Sequence, residues 1–228
     1  MLGLAKSVSK IGLLLGLGIT LTACSHHANF KPNKPLVQNN QIYYAPAQAY
    51  NLDLNTPALM GKLDLKESCA PEGSSLSITD QLARFYRIDA VNLNNNPKLP
   101  NANEQDVQAL TTQLGQFYAQ VYQAPPQGTV KLVRSSLGQS GYVVLDQANE
   151  RHIGLLVYPR GNYAYVVQHT QKKFDDASMK QSLAQLAANI QIPGRKLKNS
   201  DSELPLSIDL EQSTPEQLAA WKKTTSCL

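Results

Sequence analysis

Nucleophilic catalysis needs a serine or cysteine beside a histidine, and this chain has few such residues. The segment Gly138-Gln139-Ser140-Gly141 comes nearest to the Gly-x-Ser-x-Gly turn of serine hydrolases. It lacks that spacing, and it lies between two predicted strands where the hydrolase motif needs a strand-to-helix turn. We therefore expect a structural turn there. A thiol enzyme would instead need a reduced Cys69 with a histidine brought to it by the fold.

Metal binding needs three or four ligands, usually with pairs at helix or hairpin spacing. His152 opens one predicted strand and His169 closes another, which we interpret as opposite ends of the predicted meander, without acidic or cysteine neighbours spaced to share a metal. His26-His27 lacks a third ligand nearby. Glycine-rich phosphate loops are absent. The sequence therefore predicts no metal site, no cofactor and no catalytic residue.

Two aspartates flank a predicted strand over 84–88 and could act as general acids. Asp80 is more simply a turn residue, because aspartate side chains accept hydrogen bonds from nearby backbone amides. We expect Asp89 to form an exposed pair with Arg87.

Tyrosine outnumbers phenylalanine ten to four, which favours either an aromatic binding surface or packing at the edge of the core with hydroxyls in water. The tyrosines concerned are Tyr43, Tyr44, Tyr86, Tyr118, Tyr122, Tyr158, Tyr163 and Tyr165.

The N-terminus has the pattern of a secretory signal. Lys6 and Lys10 precede an apolar run over 11–21. At about 11 residues this run is too short to cross a bilayer, which needs about 20, and it fits the h-region of a signal peptide. The tetrad Leu21-Thr22-Ala23-Cys24 follows directly.

This tetrad resembles the lipobox of bacterial lipoproteins. The resemblance implies a signal peptide over 1–23, cleavage before Cys24, and acylation of Cys24, where two or more chains give a stable membrane anchor. Ser25 replaces the aspartate that retains many lipoproteins in the inner membrane, which favours the outer membrane, facing the periplasm or the cell surface. The alternative is an ordinary secretory signal with a chance cysteine.

The remaining cysteines, Cys69 and Cys227, most simply form a disulfide in an oxidising compartment. Two free thiols, or a catalytic thiol at Cys69, are the alternatives. Loss of Lys6 and Lys10 with the signal lowers the formal net charge from +4 to +2. A near-neutral surface argues against a nucleic-acid partner, which would need a basic stripe.

Composition divides the mature chain into three parts. Residues 24–41 contain few apolar groups and are interpreted as a flexible membrane tether. We expect residues 42–194 to form an α+β domain and residues 195–228 to form a C-terminal extension docked on it, with Thr214-Pro215-Glu216-Gln217 as a helix start.

Hydrophobic periodicity predicts the elements of the domain. Helical spacing recurs over 107–121 and over 179–190, and strand patterns fill 129–134, 142–145, 153–158 and 163–167. Because the last three strands are joined by short turns, they should form an antiparallel meander packed against the two amphipathic helices.

The meander over 142–167, with its turn over 159–162 and the helix that follows, resembles the PsbP-like α+β sandwich over residues 56–192. Proteins with that fold have diverse binding and assembly roles. We expect a non-enzymatic envelope-assembly or binding module, anchored through Cys24, with an envelope protein as partner. An envelope-directed hydrolase, which would need His152 or His169 beside a nucleophile in a cleft, and a structural stabiliser without a ligand are the alternatives.

Overall fold

The described part of the chain forms two antiparallel sheets and two α-helices. A computed structural model describes residues 31–33, 35–70, 72–94, 99, 106–147 and 151–192. The strands of the large sheet are β1 (Lys31–Asn33), β5 (Asp64–Ala70), β6 (Gly73–Thr79), β7 (Phe85–Asn92), β8 (Pro126–Ser135), β9 (Gly138–Gln147), β10 (Arg151–Arg160) and β11 (Tyr163–Gln171). The small sheet consists of β2 (Leu36–Gln38), β3 (Ile42–Tyr44), β4 (Asn51–Asp53) and β12 (Ile190–Gln191). The helices are α1 (Val107–Tyr122) and α2 (Asp176–Ala187).

The large sheet runs in the order β1-β5-β6-β7-β11-β10-β9-β8, and the small sheet runs β12-β4-β3-β2. Every described strand pairing is antiparallel. The predicted meander is therefore confirmed as β9-β10-β11, and the α+β class is confirmed with it. Strand β11 also continues the sheet by pairing with β7, far away along the chain, and local sequence patterns do not indicate this pairing.

The two helices lie on opposite faces of the large sheet. Helix α1 packs on β8, β9 and β10, and helix α2 packs on β10 and β11. Each face has its own apolar core. One is centred on Leu114 and Leu155 beneath α1, and the other on Ile88 and Met179, between the large sheet and the layer of α2 and the small sheet. The result is a three-layer arrangement, because each amphipathic helix buries its apolar stripe on a different face.

Glycines on two strands allow the helices to approach closely. A side-chain carbon added at Gly141 would lie 2.6 Å from Cβ of Thr111 on α1, and one added at Gly154 would lie 2.6 Å from Sδ of Met179 on α2. Strand glycines commonly mark such close approaches.

The ordered fold begins before residue 42. Residues 31–33 pair with β5, and residues 36–38 pair with β3, with Leu36 only 2% exposed. The predicted tether boundary at residue 41 is thus too late. Leu36 and Val37 form only a short apolar pattern between polar residues and Pro35, and their role depends on a partner strand that local sequence does not reveal.

Candidate functional site

Cys69 is the one predicted site residue that the described ranges contain. It lies buried in β5 and is disulfide-bonded, which leaves no free thiol there for catalysis. Cys24 and Cys227 lie outside the described residues, as do His26 and His27. The pairing of Cys69 with Cys227 therefore stays a prediction.

The two described histidines have structural partners. Nδ1 of His152 lies 2.6 Å from Oδ1 of Asp146, its neighbour across β9 and β10. The ring of His169 stacks on Tyr86 with centroids 4.3 Å apart, and its Nδ1 donates to the carbonyl oxygen of Phe85 at 3.1 Å. Burial lowers the pKa of His169.

The predicted placement of the two histidines at opposite ends of the meander is wrong. His152 is opposite Gln171, and His169 is opposite Gly154, so both imidazoles lie at the same end and on the same face. Met179 packs over Gly154 between them. The described residues contain no group of three or more histidine, cysteine, aspartate or glutamate side chains placed to hold a metal ion.

Ser140 is fully buried near the start of β9. Its hydroxyl lies 2.8 Å from the Ser135 hydroxyl and 3.3 Å from the Gly138 carbonyl oxygen. These bonds lie within the β8–β9 hairpin, and in the part of the chain that the structure describes neither histidine is among the partners of Ser140.

Asp80 caps the turn between β6 and β7, as the sequence predicts. Its Oδ1 accepts from the backbone amides of Leu82 and Arg84, both at 3.0 Å, and its Oδ2 accepts from Nε of Arg84 at 2.8 Å. Although burial opposes it, hydrogen bonding and charge from Arg84 lower the pKa of Asp80. Its oxygens are therefore used to hold the turn.

The tyrosines belong mainly to the core. Tyr43 donates to Oε2 of the buried Glu67 at 2.6 Å, Tyr86 donates to the carbonyl oxygen of Ala58 at 2.8 Å, and Tyr165 donates to that of Ala49 at 2.9 Å. Their hydroxyls bond inside the protein, whereas the sequence interpretation placed them in water.

Asp89 is the centre of a buried cluster of polar side chains. The predicted pair with Arg87 is present, but its predicted exposure is wrong, since Asp89 is only 3% exposed. Its Oδ1 accepts from Nε of Arg87 at 2.8 Å, while its Oδ2 accepts from the Tyr118 hydroxyl at 2.5 Å and from Nε2 of Gln168 at 2.6 Å. Tyr122 in turn donates to Oε1 of Gln168 at 2.8 Å. We call these five residues the Asp89 cluster.

Residues from three elements form the Asp89 cluster. Arg87 and Asp89 alternate on β7, Gln168 lies opposite Arg87 on β11, and Tyr118 and Tyr122 come from successive turns of α1. The nearby charge of Asp89 raises the pKa of Arg87. Burial, followed by the charge of Asp89, raises that of Tyr118. The cluster thus holds a permanently charged guanidinium beside the edge of α1.

Beyond α1, the same side of the sheet is polar and open. Lys66, Ser77 and Arg87 lie directly opposite one another across β5, β6 and β7, and Phe85 lies two residues before Arg87 on the same side. Lys66 and Phe85 are exposed, while Ser77 and Arg87 are half-buried. We call these four residues the Arg87 face. They are missed from sequence alone because only the register of three strands aligns them.

Comparison with protein families, with characterised proteins and with solved structures found no match. Neither described helix is long and apolar enough to cross a membrane.

A small cleft lies beside Cys69. Its walls come from the Pro46–Gln48 turn and the β5–β6 hairpin, and none of its lining residues is charged. By contrast, the Arg87 face offers charged and hydroxyl donors, so it is the better candidate for recognition of a polar ligand.

Proposed function

We propose that this chain is a bacterial lipoprotein, acylated on Cys24 and held on the periplasmic or outer side of the outer membrane, whose α+β domain binds an envelope component. The tetrad Leu21-Thr22-Ala23-Cys24 behind a short apolar run carries the proposal. An acylated cysteine with two or more chains gives a stable anchor, which would keep the domain beside the envelope material that it binds.

The anchor would hold the domain close to the membrane. Only residues 25–30 separate Cys24 from the first strand, and the seven residue steps from Cys24 to Lys31 span at most about 25 Å. A binding surface within this reach meets membrane-attached components and the nearest layer of the envelope. The Arg87 face is the surface that we assign to this binding.

Metabolic labelling tests the anchor. A palmitate analogue should label the wild type and the Cys227→Ser variant, which keeps the lipobox, but should not label Cys24→Ser. Label that persists in Cys24→Ser would overturn the lipoprotein proposal.

Capture from detergent-solubilised envelopes tests the binding surface. Ser77→Trp fills the centre of the Arg87 face, and Gln139→Trp places the same bulk at an exposed position on β9 as a matched control. An envelope component that is captured by the wild type and by Gln139→Trp, but is lost with Ser77→Trp, supports the assignment. Equal capture by both variants, or no specific capture, would refute it.

The finer fold assignment is also a proposal. We infer a PsbP-like sandwich, supported by the antiparallel meander β9-β10-β11 followed directly by helix α2. Superposition of an experimental structure on PsbP-like domains would test this assignment.

A further inference from the structure

We propose that the Arg87 face binds a sugar that carries a carboxylate group. This proposal names the class of ligand for the proposed binding function, and it rests on that function for the location of the ligand in the cell envelope. The chemistry itself depends only on the folded domain.

The guanidinium of Arg87 presents two free donor groups. Among the hydrogen bonds of the described residues, Arg87 donates only through Nε, to Asp89. Its side chain is 29% exposed, so the two Nη groups remain for a ligand. A carboxylate matches this fork with two parallel hydrogen bonds.

The fork is fixed before a ligand arrives. Asp89 holds Nε, and Tyr118 and Gln168 hold Asp89 in turn, at 2.5 Å and 2.6 Å. A preorganised donor loses less conformational entropy on binding than a free surface arginine. A role in fixing the Arg87 guanidinium accounts for the buried Asp89 carboxylate and its three side-chain donors.

Two further donors extend the fork across the sheet. Ser77 lies directly opposite Arg87, and Lys66 lies directly opposite Ser77. Neighbouring strands are about 4.8 Å apart, so the row spans about 10 Å, the length of a sugar with its substituents. Lys66 forms a 3.6 Å pair with Asp64, but both side chains are well exposed, so this pair is weak and is readily exchanged for a ligand contact.

The charges of the region favour recognition by geometry over long-range attraction. Asp89 balances Arg87, and Asp64 partly balances Lys66, so the row carries little net charge. A multiply charged anion gains little from such a surface. A single carboxylate on an otherwise neutral molecule gains the bidentate contact with Arg87.

Phe85 supplies an apolar contact that a simple anion would not use. Phe85 lies on the same side as Arg87 and is 37% exposed, so part of its ring is open to a ligand. An aromatic face of this kind packs against the apolar C–H face of a sugar ring. The guanidinium of Arg87, the hydroxyl of Ser77 and the ring of Phe85 together match a sugar that carries a carboxylate.

The test uses ligand-observed saturation-transfer NMR and calorimetry on the processed full-length protein in nonionic detergent. The probes are D-glucuronate, D-glucose and inorganic phosphate. We expect D-glucuronate to bind with a dissociation constant in the millimolar range, and both other probes to bind about tenfold more weakly or worse. Phosphate binding as tight as glucuronate binding, or no glucuronate binding at all, would overturn the proposal.

Four variants locate the site. Arg87→Gln should weaken glucuronate binding about tenfold or more, whereas Arg134→Gln, which removes the same charge from the exposed edge strand β8, should not change it. Since Arg87→Gln leaves Asp89 without its ion pair and is expected to destabilise the fold, Ser77→Ala and Phe85→Ala serve as tests outside the Asp89 cluster. Each should weaken glucuronate binding several-fold, and unchanged binding in both would refute the site.

This outcome is separable from that of the lipid anchor. Glucuronate binding with no palmitate label on the protein would leave the sugar site standing and remove the lipoprotein proposal. A palmitate label on the protein without glucuronate binding would refute only the sugar site.

Discussion

Replacing Asp89 with asparagine tests whether the Asp89 cluster is a buried, charge-dependent unit. The substitution keeps the shape of the side chain but removes its charge and turns one acceptor into a donor. Because Oδ2 receives Tyr118 at 2.5 Å and Gln168 at 2.6 Å while Oδ1 receives Arg87 at 2.8 Å, any orientation of the new amide faces at least one donor with another donor.

The expected cost follows from burial. Removing one partner of a buried ion pair costs about 3–5 kcal/mol. Asp89 is 3% exposed, but the Arg87 side chain is 29% exposed and regains some solvation, so we expect the lower end, about 3 kcal/mol. For a chain of this size, that corresponds to a melting temperature lower by about 6–12 °C.

A coupled variant sharpens the test. Tyr118→Phe alone removes one donor to Asp89 and should cost about 1–2 kcal/mol. In the Asp89→Asn background the charge that this hydroxyl bonds to is already gone, so losing the hydroxyl should cost less and the double variant should be more stable than the sum of the two single effects predicts.

Urea unfolding followed by far-ultraviolet circular dichroism gives these free energies by linear extrapolation. Asp64→Asn is the matched control: its carboxylate is 64% exposed, and its loss should change stability by less than about 0.5 kcal/mol. A cost below about 1 kcal/mol for Asp89→Asn, or simple additivity with Tyr118→Phe, would refute the view of the cluster as a buried unit.

Three further predictions follow from particular contacts. Gly141→Ala should destabilise the fold by about 1–3 kcal/mol in urea unfolding, because the new methyl group would lie 2.6 Å from Cβ of Thr111; an unchanged midpoint would contradict this close packing. Since burial lowers the pKa of His169, the unfolded chain binds this proton at higher pH, and the unfolding free energy should fall as pH drops below about 6.5. His169→Gln should flatten this dependence, and an equally steep profile would show that other groups cause it. Non-reducing peptide mass spectrometry should link Cys69 to Cys227, and a different partner for Cys69 would disprove the pairing.

Strong local periodicity explains which elements were predictable. The predicted helix over 107–121 and strands over 153–158 and 163–167 correspond to α1, β10 and β11, whose apolar residues recur at the period of the element itself. Such patterns need no knowledge of the rest of the chain, because one element's period already determines which residues it buries.

The error at Asp89 has a different physical origin. On β7, apolar Tyr86 and Ile88 alternate with Arg87 and Asp89, which is the pattern of a strand with one face in water. In the structure β7 is an internal strand, between β6 and β11, and Tyr118 reaches over it from α1. Burial of this polar side depends on partners distant along the chain, so no local pattern could reveal it.

The side of the large sheet that α1 covers is apolar, and it becomes polar on the strands beyond α1. This change supports the proposed binding site on the Arg87 face. Beneath α1 the strands bury apolar residues such as Leu155 and Val166, and the neighbouring strand β7 places Arg87 and Asp89 on the same side. If this polar side served only solubility, exposed charges without internal partners would suffice. Instead Asp89 accepts from three side chains to hold one half-exposed guanidinium. Burying an aspartate costs free energy because the carboxylate loses its hydration. Here the buried aspartate holds the Arg87 guanidinium rigidly at the open surface, and a rigid donor group of this kind is what a ligand-binding site needs.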